Sequence, residues 1–199
     1  MKKILNSYKK QISKSEILEK LKLIKNEYIV VSVHREENLD ISDNFSNILD
    51  AIDEVSSKND KQIIFSTHPR TRKKLEEMKR DKNSKISYIK PLGFFDYIFL
   101  QLNAFVTLSD SGTLAEEASL LKFPSVSLRN STERPEAIDS GSLILGSVDK
   151  TNIINSINLA LNLKNIIEPS DYKSPNCSEK VIKIIQGYTS IVNSEVWKK

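Results

Sequence analysis

The chain has 199 residues, of which 39% are hydrophobic and 28% charged, a balance that fits a folded globular protein and excludes a disordered one. Its net charge of +4, from 30 basic and 26 acidic residues, is small and dispersed, so nothing in it argues for nucleic-acid binding. A single cysteine, Cys177, excludes an internal disulfide framework and suits a reducing compartment, and no run of about 18 apolar residues is available to span a membrane.

The opening MKKILNSYKKQISKSE has the basic end of a signal peptide without the apolar stretch that should follow, so a cytoplasmic location is expected. Residues 12–23 carry a helical pattern outside the alternation that comes next, and residues 1–26 read as a lead-in segment. From there short apolar, β-branched runs alternate with helical spacings. The predicted strands are 28–33, 62–67, 85–89, 104–108, 125–128 and 143–145. Phe45, Ile48, Leu49, Ile52 and Val55 mark the first intervening helix, and residues 71–80, 94–103, 112–121 and 152–163 mark the others. Such alternation argues for an α/β fold, a doubly wound parallel sheet of Rossmann-like type over residues 27–170. The strands are almost continuously apolar, as strands covered on both faces are. Residues 168–178, rich in Ser, Pro and Asn, read as a long loop before a last helix from 179 to about 197, and residues 171–199 form the third segment. Asn130-Ser131-Thr132 matches a glycosylation sequon, which without a secretion signal is a chance match.

An open doubly wound sheet binds ligands beyond the carboxyl ends of its strands, where strand order reverses. In the order 3-2-1-4-5-6 the first and fourth strands flank that crevice. The first ends in VSVHREEN and brings His34; the fourth ends in LSDSGT; the second ends in STHPRTRKK and brings His68, the other histidine. At the fourth strand's end the chain turns at once into a helix, whose first N–H groups and dipole favour an anion. Asp110 or Ser111 there reads either as an ordinary N-cap or as part of a ligand turn. Gly112 allows a phosphate close to the backbone. Glu116 and Glu117 read either as ribose acceptors or as a solvated helix face. Arg134 in STERPEA reads as a guanidinium delivered to phosphate, or as a surface partner of Glu133 or Glu136. His34 is either a ligand-facing group or a neutral imidazole bonded to backbone. These residues point to a nucleotide- or phosphate-binding α/β domain.

VSVHREEN, STHPRTRK, PLGFFDY, SDSG with its following EE, and STERPEA, in this order, resemble the non-hydrolysing UDP-N-acetylglucosamine 2-epimerases, nearest to the branch that makes UDP-N-acetyl-fucosamine-type sugars for surface polysaccharide such as lipopolysaccharide. The resemblance covers nearly the whole chain and only the carboxyl-terminal half of the family's protein. It implies the second Rossmann-like half of a GT-B arrangement, with the last helix crossing back to the other domain. It implies a UDP-sugar ligand, no cofactor, no metal, no nucleic acid and no membrane. It places His34 beside the diphosphate as the catalytic residue of this half. Ser111, Gly112 and Thr113 fall on the phosphates, Glu117 on the ribose, Arg134 near the phosphates, and Leu92 and Tyr97 against uracil. Thr113 departs from a second glycine common in the family and makes the approach tighter. The carboxylates that handle the sugar C2 proton belong to the family's amino-terminal half, so the chain is expected to be inactive alone. It would need a separately encoded amino-terminal half or a homo-oligomer. A non-enzymatic UDP-sugar-binding remnant and the donor half of a GT-B glycosyltransferase are the alternatives.

Overall fold

The computed structural model describes all residues except Lys82, Lys164 and Pro175, and the side chain of Ser42 also lies outside the description. In chain order the elements of the first unit are α1 (Lys2–Ser7), α2 (Lys9–Ser13), α3 (Ile17–Lys20), β1 (Tyr28–Ser32), α4 (Glu36–Leu39), α5 (Ser42–Asn59), β2 (Gln62–Ser66), α6 (Pro69–Glu77), β3 (Ile86–Ile89), α7 (Phe94–Leu102), β4 (Val106–Ser109), α8 (Thr113–Leu121), β5 (Ser125–Ser127), α9 (Pro135–Asp139), β6 (Ile144–Leu145) and α10 (Lys150–Asn162). The six strands form one parallel sheet in the order β3-β2-β1-β4-β5-β6. This is the expected doubly wound order, and it puts the reversal between β1 and β4.

Successive side chains of a strand point to opposite faces. Ile29, Val31, Ile63, Phe65, Val106 and Leu108 accordingly meet Phe45, Ile48, Ile52 and Val55 of α5 and Ile153 and Ile157 of α10 on one face. Tyr28, Val30 and Ile64 meet Ile17 of α3 and Leu100 of α7 on the other. A further cluster under α8 and α9 holds Leu114, Ala115, Ala118, Phe123, Ala137 and Leu143. Burying each such Leu, Ile, Val or Phe contributes about 1.5–3 kcal/mol, so the two covered faces rather than helix propensity hold the sheet. Gly146 follows β6 where a Cβ would lie 2.3 Å from Val126 Cγ1, an approach only glycine permits.

The helical pattern at residues 12–23 is not one helix. It breaks between α2 and α3, where Ser15 Oγ accepts from the Ile17 amide at 3.3 Å and donates to Asp96 at 2.6 Å. A serine that captures nearby backbone offers an alternative to the helix ladder. Leu5, Ile12 and Ile17 are buried, so this segment belongs to the packing of the first unit. β1 stops at Ser32 because the Val33 carbonyl accepts from Thr71 Oγ1 at 2.6 Å instead of continuing the ladder.

The second unit, residues 170–199, contains α11 (Ser170–Lys173), α12 (Cys177–Ile191) and a π-helical turn (Val192–Val196). The expected long loop is therefore interrupted by α11, and Pro175 within it lies outside the described residues. Val181, Ile184, Ile185, Tyr188, Ile191 and Trp197 of this unit are 47–63% exposed. Among the described residues no helix is long and apolar enough to cross a membrane.

Candidate functional site

Register decides what meets at the crevice. Ser32 pairs with Ser109, so β1 and β4 end level with each other, and the residues just beyond them lie side by side. Asp110, the first residue past β4, is completely buried. Its carboxylate accepts from the backbone amides of His34 at 3.0 Å and Arg35 at 2.9 Å, and from Asn38 Nδ2 at 3.1 Å. His34 Nδ1 stands 3.0 Å from the other carboxylate oxygen. Asn38, also buried, donates its second amide hydrogen to the Leu128 carbonyl at 2.9 Å and so ties the ends of β1, β4 and β5 together. Burial pushes the Asp110 carboxyl up, but the hydrogen bonds from His34 and the two amides outweigh it and leave the value below the ordinary one. The Asp110 hydrogen bond raises His34 above its ordinary value, against partial burial and the Arg35 charge.

Asp110 is therefore not the N-cap of α8. Gly112 holds that position, and no side chain caps the helix. Ser111 and Thr113 hydroxyls lie 3.1 Å apart across the turn. A Cβ on Gly112 would find only Arg35 Nη2, at 4.0 Å, so the space above the turn is open and flanked by a guanidinium. Arg35 is the site residue that sequence reasoning missed. Its signal was present in HREEN, one residue after His34, but nothing local says that it reaches across to Gly112.

Glu117 lies one turn into α8 and is buried, not solvated. Burial raises its carboxyl, while hydrogen bonds to Thr113 and Gln101 oppose the rise. Tyr97 on α7 is pushed up to about 12 by burial, with Glu117 adding to the rise. Tyr97, Gln101 and Glu117 thus lie close together on α7 and α8 behind the turn, with Gln101 and Glu117 buried. Leu92 sits partly buried against the same α7 cluster as Tyr97.

Arg134 arrives from the far side, as the residue before α9. Its Nε lies 3.4 Å from Glu116 of α8, and Nη1 donates to the Glu133 carbonyl at 3.5 Å. Glu133 is instead clamped by buried Arg129 through two bonds of 2.6 Å, which lower its carboxyl to about 2. Glu133 and Glu37 both stand near Arg35, at 3.7 and 3.6 Å. His68, the N-cap residue of α6, joins His34, Arg35, Glu36, Glu37 and Arg70 around a cleft of about 420 Å³. Among the described residues no group of three or more His, Cys, Asp or Glu side chains is placed to hold a metal ion.

Arg35 beside Gly112 and Arg134 beside Glu116 thus flank the N-terminus of α8, an arrangement suited to a multiply charged oxyanion. A family model described as UDP-N-acetylglucosamine 2-epimerase matches residues 1–186. The chain belongs to the UDP-N-acetylglucosamine 2-epimerase family. It is 37% identical over 171 residues to the UDP-N-acetylglucosamine 2-epimerase of Methanocaldococcus jannaschii, covering 82% of this chain and 45% of that protein. It superposes on the Rickettsia bellii UDP-N-acetylglucosamine 2-epimerase with a TM-score of 0.81 at 32% identity, over 99% of this chain and 54% of that one. The M. jannaschii enzyme solved in complex with UDP-GlcNAc and UDP superposes with a TM-score of 0.78 at 34% identity, over 89% of this chain and 50% of that one. The chain spans about half the length of the relatives it matches.

Proposed function

We propose that this chain is the UDP-binding half of a non-hydrolysing UDP-N-acetylglucosamine 2-epimerase. One observation carries the reading: His34, Arg35 and the open β4–α8 turn meet at the switch point of a sheet that belongs to this family. The diphosphate lies over Gly112, with the α8 amides beneath it, Arg35 on one side and Arg134 on the other. Glu117 accepts from the ribose, and uracil rests by Leu92 and Tyr97.

In the reaction this implies, the C2 proton is removed and UDP leaves C1, giving a 2-acetamidoglucal; UDP then re-adds and the proton returns to the opposite face of C2. The task of this half is electrostatic. Groups aimed at the leaving diphosphate stabilise charge that develops as the C1–O bond breaks. Of the carboxylates around the crevice, Asp110 is held by His34 and Asn38, Glu116 by Arg134, Glu133 by Arg129 and Glu36 by Arg70, while Glu117 is buried. A base for C2 needs a free acceptor within hydrogen-bond reach, and we assign it to the half of the relatives that this chain does not span. Turnover therefore requires a companion chain or copy.

Calorimetry with UDP tests the site. The expected dissociation constant is on the order of 0.1–1 mM, about 4–5 kcal/mol, because only one wall of the crevice is present. Glu117→Gln should weaken UDP more than inorganic pyrophosphate, which has no ribose. Folded protein that ignores UDP at several millimolar overturns the assignment.

A further inference from the structure

Within that reading of the site, we propose that Asp110, braced by Asn38, is a positioning residue: it accepts a hydrogen bond from His34 Nδ1–H and thereby leaves Nε2 as the nitrogen that meets the diphosphate.

The geometry leaves Asp110 no other task. It is fully buried, and its two oxygens serve the His34 and Arg35 amides, Asn38 Nδ2 and His34 Nδ1. None of these directions opens to the crevice, so Asp110 itself does not touch a ligand. His34 is held twice by this one carboxylate, through its backbone amide and its ring, while the ring remains 46% exposed. The bond made by one ring nitrogen decides which proton the other carries. With Nδ1–H given to Asp110, the neutral ring presents a bare Nε2 lone pair, which a phosphate oxygen would meet unfavourably. The protonated ring presents Nε2–H, a charge-assisted donor. Diphosphate binding is thereby tied to the imidazolium, and the buried negative charge of Asp110 is what favours that form.

The other charges facing the ring do not replace it. From its own loop and α4 come Arg35, Glu36 and Glu37, and from the start of α6 come His68 and Arg70. Glu36 is committed to Arg70, and Glu37 lies 3.6 Å from both Arg35 and Arg129. Asp110 is the carboxylate in direct contact with the imidazole. Asn38 completes the device, because its bond to the Leu128 carbonyl fixes the amide that holds the Asp110 oxygen in place.

The test is nitrogen-15 NMR on the histidine-labelled full chain, with His68→Gln to assign the two rings, together with UDP affinity measured from pH 5.5 to 8.5. In the ligand-free protein neutral His34 should carry its proton on Nδ1 and titrate above about 6.5. Asp110→Asn should move the His34 titration down by about one unit or more and weaken UDP about tenfold at pH 8, with the loss shrinking towards pH 5.5. A purely structural lesion would lower affinity equally at every pH. Asn38→Ala should shift the same titration part of the way. Neutral wild-type His34 in the Nε2–H form overturns the proposal whether or not the variants fold, and so does an Asp110→Asn chain whose His34 titrates like wild type. Absence of UDP binding would overturn the functional reading alone, since tautomer and titration are read without ligand.

Discussion

The two walls of the crevice are built differently. On the β1/β4 wall, His34, Arg35, Asn38 and Asp110 are joined by hydrogen bonds of 2.9–3.1 Å around a carboxylate with no exposure, tied by Asn38 to the end of β5. On the opposite wall, Arg134 is 39% exposed, and its contacts to Glu116 and the Glu133 carbonyl are 3.4 and 3.5 Å. The first wall is preorganised: its polar groups are satisfied before any ligand arrives, and disturbing it costs the fold. The second holds a loosely paired cation, and under the proposed function disturbing it should cost affinity. For the proposed function the two would divide the work, one as a fixed reference for the reacting end and the other as a cation that follows the phosphate.

This contrast can be broken most forcefully at its buried centre. Asp110→Ala strips acceptors from two backbone amides and the buried Asn38 side chain, and each orphaned group costs about 1–3 kcal/mol. A loss on the order of 3 kcal/mol or more is expected in a denaturant melt. A melt within about 0.5 kcal/mol of wild type, the range of ordinary surface changes, would mean the wall is not preorganised by this carboxylate. Arg134→Ala should do the reverse. Its stability should stay within that surface range, while UDP binding weakens by roughly 1.5–3 kcal/mol, the worth of a hydrogen bond to a charged group. Equal effects on stability and affinity would erase the distinction between the walls. Glu116→Gln tests that cation directly: freeing Arg134 from its carboxylate should leave UDP affinity unchanged or raise it about two- to threefold, a few tenths of a kcal/mol as expected for a loosely held, half-buried pair.

The smallest effect is in pH. His34 titrates higher in the folded chain than its unfolded value of about 6.5, so its contribution to stability is complete below that pH and is lost as pH rises through the folded value. Asp110 is shifted down, so its share is present above about 3.9 and is lost only in acid as pH falls through its folded value. The difference in denaturation midpoint between wild type and His34→Gln should therefore narrow from pH 6 to pH 9. A difference constant over that range would remove the linkage.

Much of this molecule was legible from local pattern. Continuous apolar runs bounded by polar turns marked all six strands, because a strand covered on both faces must be apolar throughout. The polar endings HREEN, STHPR and SDSGT marked the carboxyl edge where ligands bind, and the placing of His34 and Gly112 at the switch point followed from the strand order. Residues 12–23 misled, because apolar spacing reports a buried face and not the serine that interrupts the helix at Ser15.

What tertiary structure alone decided lies across strands. The pairing of Ser32 with Ser109 sets Asp110 beside His34 and turns into a buried acceptor a residue that reads locally as a helix cap. The same juxtaposition brings Arg35 to 4.0 Å from the Cβ position of Gly112, and packing against Gln101 and Tyr97 turns Glu117 from a solvated helix position into a buried carboxyl. Each of these depends on a partner some 16 to 77 positions away in the chain. Periodicity and capping rules act over a few residues, whereas the register of a parallel sheet is set only when the whole set of apolar faces is buried together.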